Sequence, residues 1–228
     1  MSSAAWIGIA IAAAILLAAG YFGLPNLLMR RREVFCVRGT VLTFDDGPDP
    51  EVTPEVLRLL KRYNRKAVFF LVGEKAERYP ELVDAIIADG HEIGIHAYRH
   101  AKQLWLSPRA IRADLSRCLT ILRRHTDRLR RLRPPHGLYT WTHIRFMKEH
   151  GLLPTHWYSL LGDWRDMPTE ELARRYESVS GDGRVIVLHD GTCGAAERAA
   201  TLKMPEALAL ILEREQTQSD DMKVLSGR

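Results

Sequence analysis

The order of apolar and polar residues divides the chain into an uncharged N-terminal segment and a longer alternating part. Residues 4–29 contain no charged side chain. A helix needs about 20 apolar residues to cross a bilayer, and the run before the first proline provides that length. Aromatic residues are enriched at membrane interfaces, and three stand near the ends of this run: Trp6, Tyr21 and Phe22. The pattern predicts a single-pass membrane anchor over residues 4–28 rather than a buried helix. A cleaved signal peptide fits less well, because no basic residue precedes the apolar run.

After residue 32, short apolar runs of strand type alternate with amphipathic runs of helix type. Strands are predicted at residues 36–44, 66–72, 91–96, 132–133, 153–159, 184–188 and 222–225. Helices are predicted at residues 53–63, 80–89, 108–126, 140–150, 169–176 and 195–213. Repeated strand-then-helix units predict an α/β fold with a parallel sheet or barrel. In such folds the chemistry lies at the carboxyl ends of the strands.

Polar clusters follow four of the predicted strands. In chain order they are TFDDGP from Thr43, HAYRH from His96, RPPHG from Arg133 and LHDG from Leu188. Each cluster alone is compatible with an ordinary turn, because Asp, Gly and Pro favour turns. Their recurrence at successive strand ends favours one shared site.

Two histidines and a carboxylate in these clusters suit a metal ion. His96 and His100 are four residues apart, so both can face one ion across a turn. Together with Asp46 they would leave coordination positions for water and substrate. His189 is a candidate general acid, because a histidine changes its charge near neutral pH.

The ordered set of four clusters resembles the polysaccharide deacetylase family, also called the NodB-homology domain or carbohydrate esterase family 4. The resemblance covers residues 41–212 and implies a distorted (β/α) barrel with fewer than eight regular repeats. The catalytic domain is therefore expected at residues 39–228, behind a basic linker at residues 29–38.

The resemblance also implies a base and a metal centre. Asp45 matches the catalytic base, and Arg133 matches the arginine that pairs with the base. The divalent metal, usually Zn²⁺ in the family, would be held by Asp46, His96 and His100.

The remaining roles implied by the resemblance concern the acid and the substrate. His189 matches the general acid, which a carboxylate must keep cationic. Asp163 matches that carboxylate, and Asp166 is a further candidate. The matching substrate-binding positions are the backbone N–H of His136 and the side chains of Trp164 and Leu188.

Two positions depart from the family pattern. Ala97 stands where Ser or Thr is usual, which removes a loop hydrogen bond but no metal ligand. His136 stands where Tyr is frequent, which a role for the backbone N–H tolerates.

Composition and charge narrow the function classes further. With 46% hydrophobic and 27% charged residues, the chain is neither disordered, collagen-like nor a disulfide-stapled miniprotein. Three cysteines, Cys36, Cys118 and Cys193, imply no disulfide framework. The net charge of +5 is uneven, because residues 109–133 hold nine arginines against two aspartates. This tract lacks interleaved aromatics, so it predicts a solvated helix face near anionic lipid or polymer, and no nucleic-acid partner is expected.

These patterns predict a membrane-anchored, metal-dependent hydrolase that removes N-acetyl groups from sugars of a cell-wall or chitin-like glycan. The expected partners are that glycan, or a glycolipid, and the lipid bilayer. The first alternative is a deacetylase or deformylase of a lipid-linked sugar at the cytoplasmic leaflet. The three arginines at residues 30–32 favour the cytoplasmic side, whereas the family resemblance favours an extracytoplasmic domain. A catalytically silent glycan-binding module is the alternative from another class, and the intact set of site residues argues against it.

Overall fold

A computed structural model of the protein describes residues 2–30, 39–193 and 197–226. Its strands are β1 (Val41–Asp45), β2 (Ala67–Leu71), β3 (Glu92–Ile95), β4 (Arg131–Leu132), β5 (Leu153–Pro154), β6 (Ser159–Leu160) and β7 (Val185–His189). Its α-helices are α1 (Ser3–Ala18), α2 (Leu24–Arg30), α3 (Thr53–Arg62), α4 (Gly73–Arg78), α5 (Pro80–Ala88), α6 (Pro108–Leu122), α7 (Trp141–His150), α8 (Thr169–Val179), α9 (Arg198–Leu202) and α10 (Met204–Ser226). Short 3₁₀ turns lie at Gln103–Trp105 and Pro135–Gly137.

The seven strands of the described residues form one parallel sheet in the order β5-β4-β3-β2-β1-β7-β6. The two edge strands, β5 and β6, are joined only by residues 155–158. Such a connection spans at most about 18 Å when extended, so the two edges must approach each other. The sheet is therefore a curled half-barrel, which confirms the predicted α/β fold of parallel strands.

The central strands are buried on both faces, as parallel strands covered by helices must be. Every residue of β2 is buried. Phe44 of β1 stacks on Phe69 of β2, with the ring centroids 5.0 Å apart. Helix α3 contributes Val56, Leu59 and Leu60, which are buried at helical spacing. This packing fixes the carboxyl ends of β1, β3, β4 and β7 at one rim of the sheet.

Three predicted elements are wrong. The strand predicted at residues 153–159 is two edge strands, because residues 155–158 leave the ladder to bridge the gap between the edges. The strand predicted at residues 222–225 belongs to α10, which no glycine or proline interrupts after residue 205. The helix predicted at residues 195–213 is divided between α9 and α10, and Pro205 starts the second one.

The uncharged N-terminal segment is helical but is not one continuous helix. α1 ends at Ala18, a π-helical turn follows at Ala19–Gly23, and α2 then begins. Gly20, Gly23 and Pro25 weaken a regular helix at this point. None of the helices in the described ranges is long and apolar enough to span a bilayer, so the predicted transmembrane helix is not found.

Helix α2 nevertheless docks on the rest of the protein. Met29 is buried in the core. The Asn26 side chain donates a hydrogen bond to the Tyr139 carbonyl (3.1 Å) and accepts one from the Tyr139 N–H (2.8 Å). The predicted linker falls mainly on residues 31–38, which include Cys36 and lie outside the described residues.

Candidate active site

The proposed base and the proposed acid lie side by side at the carboxyl ends of β1 and β7. Asp45 is in register with His189 across the two parallel strands. Asp46 has a φ of 71°, a left-handed conformation that aspartate tolerates better than most residues. The turn at Asp46 lets two consecutive carboxylates line the same pocket.

Arg133 forms a buried ion pair with Asp45 behind the pocket lining. Its guanidinium is fully buried and lies 2.7 Å from the Asp45 carboxylate. It also donates to the Thr43 hydroxyl (2.8 Å) and to the backbone carbonyls of Thr155 (3.1 Å) and His156 (3.0 Å). These four acceptors fix the guanidinium, so the arginine compensates the buried charge of Asp45 in a single geometry.

Asp46, His96 and His100 converge on one point and fit a divalent metal. The Nε2 atoms of both histidines lie 3.2 Å from Asp46 Oδ1, and the three ligand atoms lie within 4.8 Å of one another. Among the residues that the structure describes, Asp46 Oδ1 is buried and has no hydrogen-bond partner, which is costly unless a cation binds there. Nδ1 of His96 contacts the Arg133 carbonyl at 2.8 Å, so Nδ1 must carry the proton and Nε2 is left to bind a metal.

The charge states of these ligands also suit a metal. Burial raises the pKa of Asp46, but the neighbouring imidazoles outweigh it and lower the pKa well below its usual range. Burial lowers the pKa of His100 to about 4, although Asp46 opposes this. A carboxylate and a neutral imidazole are the forms that bind metal ions.

Asp114 organises the loop that carries both histidines. Its carboxylate accepts hydrogen bonds from the N–H groups of Tyr98 (2.8 Å) and Arg99 (3.0 Å) and from the Gln103 amide (3.3 Å). Ala97, which lacks the usual hydroxyl, has a φ of 66°, so the loop turns sharply here. Asp114 belongs to α6, outside the HAYRH motif, and fixes the loop that carries His96 and His100.

Asp163 holds His189. One carboxylate oxygen accepts from the His189 N–H at 2.7 Å, and both lie 3.1 Å from Nδ1. Burial lowers the pKa of His189, but the charge of Asp163 and its hydrogen bond outweigh burial and raise the pKa to about 10. Nδ1 is occupied by Asp163, so Nε2 remains for the substrate. Asp166 instead pairs with Lys203.

The site residues surround one pocket of about 280 Å³. Its lining includes most of the predicted set: Asp45, Asp46, His96, His100, His136, Trp164 and His189. The His136 ring lies edge-on to His100, with centroids 4.8 Å apart. Trp164 lies edge-on to His189 at 5.6 Å. Apolar lining comes from Trp157, Leu160 and Val187, which were not predicted.

Leu188 does not line this pocket. It is fully buried in the hydrophobic core behind β7. Side chains alternate along a strand, so Val187 and His189 share the pocket face and Leu188 points to the other face. The predicted substrate contact at Leu188 is therefore wrong by one residue.

Two motif glycines allow the loops after β1 and β7 to approach closely. A Cβ at Gly47 would lie 2.4 Å from the Asp190 carboxylate, and a Cβ at Gly191 would lie 2.1 Å from the Asp46 carbonyl. Lys75 of α4 ties the same loops together by donating to the carbonyls of Asp46 (2.7 Å) and Thr192 (3.0 Å). These contacts fix the loop that carries Asp46 relative to the loop that follows His189.

Comparison with known proteins agrees with this geometry. Residues 36–154 match the family model described as polysaccharide deacetylase. The chain is 30% identical over 188 residues to a chitooligosaccharide deacetylase of Bradyrhizobium, covering 78% of this chain and 83% of that protein. The chain belongs to the polysaccharide deacetylase family. This confirms the resemblance seen in the four motifs.

Two other members of the polysaccharide deacetylase family are similar as well. A peptidoglycan-N-acetylglucosamine deacetylase of Bacillus cereus is 34% identical over 149 residues, which cover 65% of this chain and 54% of that relative. The chain thus spans about half the length of this relative. The crystal structure of the Bc1960 peptidoglycan N-acetylglucosamine deacetylase superposes with a TM-score of 0.70 at 30% identity, covering 79% of this chain and 82% of that one.

The family relationship confirms the predicted enzyme class, because these relatives are named as deacetylases, which are hydrolases of amide bonds. Deacetylases of this family are metal-dependent, and Asp46, His96 and His100 form a possible metal site in this protein. Sequence reasoning missed Asp114, Lys75 and the residues around Arg133. The first two carry no motif signal, and the carbonyls of Thr155 and His156 belong to the backbone, which no residue type reveals.

Proposed function

We propose that the protein is a metal-dependent hydrolase that removes the acetyl group from an N-acetylated sugar. The observation that supports this proposal is the single pocket in which a buried Asp–Arg pair, a His–Asp pair and a three-residue metal cluster meet. An amide is a weak electrophile with a poor leaving group, so its hydrolysis needs a base, an acid and charge stabilisation together. The pocket brings all three within reach of one acyl group.

Asp46, His96 and His100 would hold the metal, and a set of two imidazoles and one carboxylate suits Zn²⁺. When bound, it supplies Lewis acidity toward water and toward the amide carbonyl. Asp45 accepts a proton from the attacking water as the water oxygen bonds to the carbonyl carbon. Arg133 keeps that carboxylate oriented and charge-compensated throughout.

His189 completes the reaction on the other side of the substrate. Its Nε2 donates a proton to the amide nitrogen as the C–N bond breaks, so the sugar leaves as an amine and acetate is released. Asp163 raises the pKa of His189 to about 10, which keeps the imidazole protonated near neutral pH. The backbone N–H of His136 is the proposed donor to the oxyanion that forms in between.

The acyl methyl would rest against the apolar part of the pocket. Leu160, Val187 and the ring of Trp164 line that part. The relatives are named for N-acetylglucosamine in peptidoglycan and for chitooligosaccharides, so N-acetylglucosamine is the first sugar to test.

We also propose that the N-terminal segment brings the enzyme to a bilayer. Large apolar side chains are widely exposed along it, including Trp6, Ile7, Ile15 and Leu16. Contiguous exposed apolar surface of this kind marks membrane or protein contact. The three arginines at residues 30–32 favour a cytoplasmic domain. Membrane fractionation with a C-terminal reporter active on only one side tests attachment and sidedness, and a fully soluble full-length chain would contradict the proposal.

Acetate release tests the proposed activity. The purified full chain, loaded with Zn²⁺, is incubated with N-acetylglucosamine oligomers, and acetate is measured before and after removal of the metal by a chelator. We expect release that stops on chelation and returns with Zn²⁺. If the loaded protein binds such sugars but releases no acid from any N-acyl sugar, it is the silent binding module instead.

A further inference from the structure

A second pocket adjoins the active site and has no role in the proposed reaction. It lies between the 3₁₀ turn at Gln103–Trp105 and the one at Pro135–Gly137. His136 lines both this pocket and the active-site pocket, so the two pockets are neighbours. A substrate that fills the first can extend into the second.

The walls of this second pocket are mainly apolar and unusually exposed. They include Leu104, Trp105, Pro135 and Leu138. The Trp105 side chain is 85% exposed and Leu138 is 39% exposed. Exposed apolar surface next to a catalytic pocket indicates a ligand that covers it.

The loop that presents Trp105 is held in place from within. Gln103 is buried, and its amide bonds to Asp114 at 3.3 Å and to His143 at 2.5 Å. His143 in turn contacts the Thr140 hydroxyl at 2.8 Å. The apolar wall is thus preorganised, which lowers the entropic cost of binding.

Lys102 supplies a cation at the rim of the same pocket. Its side chain is exposed, and within residues 39–193 and the other described segments it forms neither an ion pair nor a hydrogen bond. Lys102 lines the pocket together with His136, which faces the active site. An anionic group placed between the two pockets would therefore meet an uncompensated ammonium group.

The N-terminal segment reaches the protein surface beside this pocket. Tyr139, which directly follows Leu138, exchanges two hydrogen bonds with Asn26. Leu27 and Leu28, next to Asn26, are 52% and 40% exposed. The apolar wall of the pocket therefore lies next to helix α2, which carries the exposed Leu27 and Leu28.

We propose that this second pocket binds the lipid portion of a sugar that is linked to its lipid through a phosphate. The N-acetylated ring would occupy the active-site pocket, the phosphate would meet Lys102, and the first part of the lipid would lie between Trp105 and Leu138. The proposal rests on the proposed function and names its substrate class. A second sugar ring is the competing occupant of the pocket.

Substrate preference tests this assignment. The Zn²⁺-loaded full chain in mild detergent micelles is assayed with N-acetylglucosamine linked through phosphate to a decyl chain, with N-acetylglucosamine 1-phosphate, and with the N-acetylglucosamine trimer. We expect kcat/KM for the decyl phosphate compound to exceed that for the 1-phosphate by about tenfold or more, because several methylenes are buried. A preference for the trimer over both phosphates would overturn the proposal.

Variants locate the effect. Trp105→Ala and Leu138→Ala should each lower the ratio of the two phosphate substrates several-fold, since they remove only the apolar wall. Lys102→Ala should lower kcat/KM for both phosphate compounds relative to the trimer. Leu153→Ala is the matched control, because Leu153 is 54% exposed but lies on the edge strand β5 outside the pocket. A loss on the trimer with Trp105→Ala, and none on the decyl compound, would assign the pocket to a second sugar ring.

Binding separates this inference from the proposed function. Calorimetric titration of the Asp45→Asn variant with the decyl phosphate sugar measures affinity without turnover. Binding that weakens on adding Trp105→Ala supports the pocket even if the wild-type protein releases no acetate from any substrate. The same affinity with and without Trp105→Ala, or no binding at all, would overturn the lipid assignment.

Discussion

Asp45 and His189 lie side by side on β1 and β7, yet the protein supports them in different ways. The partner of Asp45 is Arg133, which follows β4, three strands away from β1 in the sheet. Arg133 also donates hydrogen bonds to two backbone carbonyls of the bridging residues 155–158. The partner of His189 is Asp163. The hydrogen bonds described above for the Asp163 carboxylate go to the backbone N–H and to the ring of that one histidine. The base is therefore tied into the closure of the half-barrel, whereas the acid is tied to one neighbour.

Because of this difference, we expect substitutions beside the base to change stability and substitutions beside the acid to change the pH dependence of the reaction. Removing the support of the base should damage the fold as well as the reaction. Removing the support of the acid should mainly change the pH at which the reaction runs.

The largest effect is expected for Arg133→Ala. It leaves the Asp45 carboxylate buried without its counter-charge and removes a hydrogen-bond donor from the Thr155 and His156 carbonyls, so the free energy of unfolding should fall by about 3–5 kcal/mol. Denaturant titration measures this, and acetate release should be lost as well. Arg112→Ala is the control, because water screens its exposed pair with Glu149 and the free energy of unfolding should change little. If the free energy of unfolding changes equally little in both variants, the proposed contrast between the support of Asp45 and the support of His189 is wrong.

Asp163→Asn should act on the pH profile. With the carboxylate removed, the pKa of His189 should fall from about 10 toward its ordinary value near 6.5. The alkaline fall in kcat/KM should therefore occur at lower pH, and kcat/KM at pH 8 should be about 30-fold below that of the wild type. Asp166→Asn is the matched control and should leave the limb in place, since Asp166 pairs with Lys203.

The same pair makes a linked prediction for stability. The pKa of His189 is raised in the folded protein, so the stabilisation from the pair is fully present below about pH 6.5 and is lost as the pH rises through about 10. The free energy of unfolding of the wild type should thus fall over that range relative to Asp163→Asn. Parallel curves for the two proteins would show that the charge of His189 is not coupled to folding.

The smallest effect is expected for Asp114→Ala. Asp114 fixes the loop of both metal-binding histidines but is not one of the three residues proposed to hold the metal, and such supporting residues typically change metal affinity by about 10–100-fold. Zn²⁺ titration against a competing chelator should show weaker binding with activity restored at high Zn²⁺. Glu149→Gln, an exposed carboxylate elsewhere, should bind Zn²⁺ as the wild type does. Loss of binding that no Zn²⁺ concentration restores would place Asp114 in the metal site itself.

The sequence predicted the strand ends well, because carboxyl ends of parallel strands share one rim and polar clusters recur there. It could not predict how Arg133 is held, since the acceptors are backbone carbonyls on residues 155–158 that looked like part of a strand. The error at Leu188 arose because motif matching does not set the side-chain alternation of β7. The break in the N-terminal helix is likewise a backbone feature that hydrophobicity alone does not reveal.

Parallel measurement of turnover and bound metal in Asp45→Asn and Asp46→Asn tests the central claim most directly. The two neighbouring carboxylates have nearly the same burial but are assigned different tasks. Asp45→Asn should keep about one Zn²⁺ per chain and lose acetate release by about 10²–10⁴-fold, whereas Asp46→Asn should lose the metal and the activity together. Metal loss in Asp45→Asn, or turnover preserved in it, would contradict the assignment of base and ligand.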